Sequence, residues 1–278
     1  MKETAQKPQQ PSYCIGSGWW CSNEDEAVVN PNRKLLGAPS VRAVSFFDIW
    51  RESINRNTNP ASIVVVDSRS PVKPPEDQRA PFAWVELPFN AKHSVDHLGK
   101  WSGWTRSVLV AGQYALASEA DYFVYVEQDC LLAGKGIIEH CIQSMDKGIM
   151  FGSGDGTPQP LQQSFFIIRR DRLAPFLKNL ADIKADDRDF SPEWKFVCAT
   201  WRPLITLARL KIPNARAARL LAFAIARRFF IDWLPIGTGR SRPLPMTKPY
   251  WYFQHGSDTE VATYLEAEGA SKPASSKS

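Results

Sequence analysis

The chain has 278 residues, 44% of them hydrophobic, and a formal net charge of +5. That apolar content is enough to bury a sizeable core in one large domain or two, and the basic balance suits an anionic ligand or surface without choosing between nucleotide, nucleic acid and membrane. Five scattered cysteines without a C-x-x-C pair argue against a disulfide framework or a structural zinc site, and the apolar run at residues 220–226 is too short to cross a bilayer.

The first residues, rich in Gln, Lys and Pro, lack the apolar core of a signal peptide, so a cytoplasmic protein is expected. Residues 13–15 and 19–21 read as a first strand interrupted by Gly16-Ser17-Gly18, and residues 23–36 as a charged loop. Val44, Phe47, Ile49, Trp50 and Ile54 recur at helical spacing after a candidate N-cap, Ser40, and Asn59-Pro60 should end that helix. Residues 62–66 form a buried strand that ends in Asp67, an acid suited either to a ribose or base or to opening a turn. A short strand at 82–87 follows, then a helix over 104–118 whose first turn carries Arg106. A cation there opposes the helix dipole, so it either serves a bound anion or is simply exposed.

Residues 122–126, Tyr-Phe-Val-Tyr-Val, read as a strand buried on both faces, as in a parallel α/β sheet. Glu127 and Asp129 follow. Ligands of open α/β sheets sit outside the carboxyl ends of strands, and acids two positions apart in extended chain can share one Mg²⁺ or Mn²⁺. The spacing itself is common, recurring at Glu119/Asp121 and Asp187/Asp189, so a solvated turn is the competing reading. Further on, a helix at 136–145, a strand at 148–151 and the glycine-rich 152–156 precede a strand at 164–168. Helices are expected at 173–180 and, with Pro at its first position, from Pro192. Residues 214–233 read as a basic helix, either a core helix with a snorkelling edge or one lying on an anionic membrane surface. Gly237 to Arg242 is a basic loop, and the aromatic 250–253 precedes His255.

In order of elements, residues 13–258 resemble the GT-A glycosyltransferases: a strand ending in Asp67, a basic first turn at Arg106, a buried strand into Glu127-Gln128-Asp129, an apolar strand at 164–168 and a late His255. The usual Asp-x-Asp is here Glu-Gln-Asp. The resemblance implies a GT-A-like, mostly parallel α/β sheet flanked by helices, with a C-terminal helical and loop extension. It also implies a nucleoside-diphosphate sugar donor, a UDP- or GDP-sugar, held through Mn²⁺ or Mg²⁺ on Asp129 with Glu127, and His255 as a further ligand. Asp67 matches the acid that contacts the nucleoside. Arg106, Arg240 and Arg242 are expected to bind the donor, Glu193 to take the acceptor's proton, and Asp155 to be the reserve base. Glu193 is equally suited to an ordinary helix first turn.

The acceptor is expected to be a glycan or lipid-linked glycan of cell-surface polysaccharide synthesis, with peripheral contact at the inner face of a membrane left open and no nucleic-acid partner. The expected organisation is a disordered 1–12, a donor and acceptor domain at 13–210, a basic helix and aromatic lid at 211–266, and a disordered tail at 267–278. Three other readings remain: a nucleotidyltransferase using the same sheet edge, a non-catalytic nucleotide-sugar-binding module, and a zinc peptidase built on His93-Ser94-Val95-Asp96-His97. The last needs a helix that the segment's pattern does not support.

Overall fold

The computed structural model describes residues 10–22, 36–93, 96–155, 157–210, 215–237 and 239–269. The expectations for 1–9, 23–35 and 270–278 lie outside the described residues, as do Ser94, Val95, Gly156, Thr238 and residues 211–214.

The first half runs β1 (Tyr13–Trp19), α1 (Phe46–Asn57), β2 (Ser62–Asp67), α2 (Glu76–Arg79), β3 (Ala83–Glu86), α3 (Gly103–Ala117), β4 (Tyr122–Val126) and β5 (Cys130–Ala133). The second half runs α4 (Ile137–Gln143), β6 (Ile149–Ser153), β7 (Leu161–Arg169), α5 (Arg170–Asp182), α6 (Pro192–Ala199) and α7 (Pro203–Leu207). It ends with α8 (Ala215–Phe229), β8 (Asp232–Trp233), β9 (Trp251–Gln254) and α9 (Asp258–Ala267). Seven strands form one sheet in the order β3-β2-β1-β4-β7-β6-β8, and β5 and β9 pair antiparallel in a second. Within the large sheet only β7 runs against the others. This is the mostly parallel α/β sheet flanked by helices expected from the sequence.

Alternation along the strands fills both faces. Val65, Val124 and Val126 join the core beneath α1, β5 and β9, while Val64, Val66, Phe123 and Tyr125 join the core beneath α3, α5 and α6. The second sheet is held to α1 and α9 by one carbonyl: Leu132 O accepts from Asn57 Nδ2 at 2.8 Å, Tyr264 Oη at 2.7 Å and Ser53 Oγ at 3.2 Å.

Several boundaries differ from the sequence reading. The glycines do not interrupt β1. A Cβ on Gly16 would lie 2.7 Å from both Ala111 Cβ and Phe123 Cε2, so the bare backbone is what lets α3 lie close on the sheet. Helix α1 starts after Ser45 rather than Ser40, which sits in a separate short turn at Pro39–Arg42. The aromatic stretch read as part of a lid is the buried strand β9, its Trp251, Tyr252 and Phe253 packed in the core. The described residues on either side, 91–93 and 96–98, are not helical, which weighs against the peptidase reading.

Candidate functional site

Parallel strands β1, β2 and β4 end side by side, with Trp19 in register with Asp67 and Glu127 directly after Val126. At this edge Gln128 turns away from its acidic neighbours and clamps β1. Its Oε1 accepts from Trp20 N at 2.7 Å, and its Nε2 donates to Trp20 O at 3.0 Å. That bidentate amide fixes the turn that carries Glu127 and Asp129.

Glu127 is half-buried, and loss of solvation around its carboxyl, reinforced by Asp129, holds it above the usual carboxylate range while Arg240 pulls the other way. Its Oε2 accepts from Gln254 Nε2 at 2.7 Å, tying β4 to β9 across the two sheets. Asp129, 7% exposed, keeps Oδ1 buried without a hydrogen-bond partner. His255 Nδ1 lies 2.7 Å from Asp129 Oδ2, within ion-pair distance but without the alignment of a hydrogen bond. His255 also holds φ +56°, a left-handed backbone that a non-glycine residue adopts only where its surroundings impose it. Gly37 helps impose it: a Cβ there would lie 2.7 Å from the His255 carbonyl.

Arg240 reaches the same cluster from the loop before β9. Its Nη2 is 3.5 Å from His255 Nε2, its backbone nitrogen donates to Gln162 Oε1 at 2.9 Å, and its Nε is buried with no partner. Glu193, in the first turn of α6, feels the Arg240 charge and contributes to the field at Glu127. Burial, the largest influence, raises the Glu193 carboxyl above its ordinary value. Glu127, Asp129, Arg240 and His255, distant in sequence, therefore converge on one partly buried site, with Glu193 within reach of its electrostatic field.

The other expected residues lie apart or are already engaged. Asp67 is fully buried, and Oδ1 caps the following turn, accepting from Ser70 N at 2.9 Å and Ser70 Oγ at 2.6 Å. Its Oδ2 has no hydrogen bond and only Lys73 Nζ at 3.6 Å. The turn-opening reading thus accounts for Oδ1, while Oδ2 faces the Lys73 ammonium. Arg106 stacks over Phe89 at 4.8 Å and donates from Nε to Trp101 O at 3.1 Å, which accounts for its place in the helix. Arg242 pairs with Glu260 and donates to Gln254 O at 3.1 Å and to Gly239 O at 3.1 Å, bracing the loop that presents Arg240. Asp155 is exposed in the turn between β6 and β7, with its backbone nitrogen donating to Ser153 Oγ at 3.2 Å.

Among the described residues no three His, Cys, Asp or Glu side chains form a ready-made metal cage. A divalent cation bound together with substrate phosphates needs only one or two carboxylates from the protein, its remaining ligands being phosphate oxygens and water. The orphaned Asp129 Oδ1, with His255 Nδ1 beside the same carboxylate, fits that requirement.

No family model matches the chain, and no curated protein matches it. Solved structures similar to it include the apo form of the glycosyltransferase GlyE of Streptococcus pneumoniae TIGR4, at 7% identity and TM-score 0.45 over 94% of this chain and 60% of that one. Another is the mannosyltransferase PcManGT of Pyrobaculum calidifontis, in complex with GDP-Man and Mn²⁺, at 12% identity and TM-score 0.40 over 70% of this chain and 56% of that one. A third is TarS of S. aureus in complex with UDP, at 13% identity and TM-score 0.38 over 68% and 54%. The chain spans little more than half the length of these proteins, so function has to be argued from the site.

Proposed function

We propose that the protein is a metal-dependent glycosyltransferase that moves a sugar from a nucleoside-diphosphate donor to a glycan or lipid-linked glycan acceptor. The observation that carries this reading is the convergence of Asp129, His255, Glu127, Arg240 and Glu193 at the carboxyl edge of the sheet, with Asp129 Oδ1 buried and unpartnered. Asp129 and His255 would hold Mn²⁺ or Mg²⁺, with Glu127 beside them, and the cation would neutralise charge on the donor's diphosphate.

The rest of the work belongs to the chain's own side chains. Arg240 places a fixed cation where the leaving diphosphate gathers negative charge, in a site dry enough for that charge to count. Glu193 stands on the first turn of α6 with a raised carboxyl affinity for protons, which favours its taking the acceptor hydroxyl's proton as general base. Asp67 would accept a hydrogen bond from the nucleoside through Oδ2, in place of its long contact with Lys73. Gln254 fixes the Glu127 carboxyl so that it does not swing toward the donor.

The test is release of nucleoside diphosphate from a panel of UDP- and GDP-sugars in the presence of Mn²⁺ and mixed glycan acceptors. Turnover is expected with one donor. Glu193→Gln should lower kcat by roughly 100-fold with donor KM little changed, the size typical of a lost general base. Release of pyrophosphate from a nucleoside triphosphate plus a sugar phosphate would assign nucleotidyl transfer instead, and donor binding without turnover would assign a binding module.

A further inference from the structure

The stretch from residue 194 to residue 231 contains no Asp or Glu and carries eight cations: Lys195, Arg202, Arg209, Lys211, Arg216, Arg219, Arg227 and Arg228. Its charge alone exceeds the +5 of the whole chain. Of these cations Lys195 is buried, while Arg202, Arg209, Arg216, Arg227 and Arg228 are exposed. The same stretch holds most of the large apolar side chains left in water by the described residues: Trp201, Leu210, Leu220, Leu221 and Phe229. Leu220 and Leu221 are each 52% exposed.

Helix α8 sorts these residues by face. Ala218, Ala222 and Ala226 are buried against the domain, small enough to let the helix pack closely. At about 100° per residue, Arg216, Leu220, Leu221, Ala224, Arg227 and Arg228 fall within an arc of about 140° on the opposite side. α7, packed against α8, continues the surface with a cleft of about 560 Å³ lined by Arg202, Pro203, Thr206, Leu207 and Leu210. Leucines in the middle of a helix face, flanked by arginines with no acid among them, make the pattern of a helix that lies in the plane of an anionic bilayer.

We propose that the outer face of α8, with α7 beside it, docks this protein on anionic lipid headgroups, Leu220 and Leu221 entering the acyl boundary while Arg216, Arg227 and Arg228 pair with phosphates. The charge pattern selects this occupant. A second copy meeting the face across a two-fold axis would set arginine against arginine with no carboxylate to pair them. A nucleic acid would pair its phosphates with the arginines but leave Leu220 and Leu221, in the middle of the face, without an apolar partner. The docking does not depend on sugar transfer: a protein without turnover would still partition. Helix α6, which carries Glu193, packs on α8, so a docked enzyme would take a lipid-linked acceptor from the same surface.

The test is co-sedimentation of the full chain with vesicles of phosphatidylcholine alone and of phosphatidylcholine mixed with phosphatidylglycerol, at low and high salt. Binding is expected only to the anionic vesicles, weakening as salt rises. Arg216→Ser/Arg227→Ser/Arg228→Ser should weaken it by about 100-fold, from about fivefold per basic residue at a charged surface. Leu220→Glu/Leu221→Glu should abolish it, with the far-ultraviolet dichroism and thermal midpoint of the parent confirming the fold. If that variant unfolds, the arginine variant alone decides. Absence of binding to anionic vesicles, equal binding to neutral ones, or binding that survives these substitutions would overturn the proposal. So would a dimer that Leu220→Glu/Leu221→Glu converts to monomer, since a second copy would then cover the face.

Discussion

Lys195 and Asp187 form an ion pair at 2.7 Å with both side chains fully buried. Asp187 also anchors the start of α3, Oδ2 accepting from Ser102 N at 2.7 Å and from Thr105 Oγ1 at 2.7 Å. One carboxylate thus joins α3, the 183–191 loop and α6, two residues beyond Glu193. Lys195→Met keeps most of the side-chain volume but strands an anion in the core, and removing one partner of a buried pair costs about 3–5 kcal/mol. At roughly 2–4 °C per kcal/mol for a domain of this size, the thermal midpoint should fall by about 10 °C. Asp187→Asn should also destabilise by stranding the ammonium. The double variant, with no buried charge, should recover at least about 2 kcal/mol relative to the sum of the singles. Urea denaturation of the four proteins measures this directly. A loss below about 1 kcal/mol in Lys195→Met, or strict additivity in the double variant, would refute the claim that the pair anchors α6.

Two further substitutions probe the scaffold and the site's charge. Gly16→Ala should cost about 1–3 kcal/mol, because its methyl would press on Ala111 and Phe123 in a closely packed sheet and helix; a neutral effect in urea denaturation would contradict that packing. Glu193→Gln should change how stability depends on pH. Since the folded protein raises this carboxyl's proton affinity, wild-type stability from this group is complete below the ordinary glutamate range and declines as pH rises through the raised folded value. Relative to wild type, the variant should therefore gain stability as pH rises above the ordinary glutamate range, and a difference that does not change with pH would contradict the burial of Glu193.

Much of the scaffold was legible in the residues because buried parallel strands are runs of branched and aromatic side chains. Residues 62–67 and 122–126 needed nothing else. Helix α6 was announced by its first-turn proline, and Glu127 and Asp129 by acids placed where a buried strand must end. The second sheet was not legible. Cys130–Ala133 and Trp251–Gln254 are four-residue strands, too short to show a period, and their pairing spans more than a hundred residues of chain. The glutamines were missed for a different reason. Gln128, Gln162 and Gln254 carry no charge and no recognisable spacing, yet they hold the end of β1, the Arg240 backbone and the Glu127 carboxyl in place. The reading of Gly16-Ser17-Gly18 as a break failed because a glycine's lack of a side chain serves close packing as well as turning, and only the neighbouring α3 distinguishes the two.

The most direct test of the central claim is calorimetric titration of the protein with UDP, GDP and CDP and their triphosphates, with and without Mn²⁺, repeated on Asp129→Ala. The account predicts that one nucleoside diphosphate binds, that Mn²⁺ strengthens its binding, and that Asp129→Ala loses the Mn²⁺-dependent part while keeping the parent's fold. Binding of none of these nucleotides under any condition, or binding indifferent to both Mn²⁺ and Asp129, would contradict it and leave Glu127 and Asp129 as a buried acidic turn at the end of a core strand.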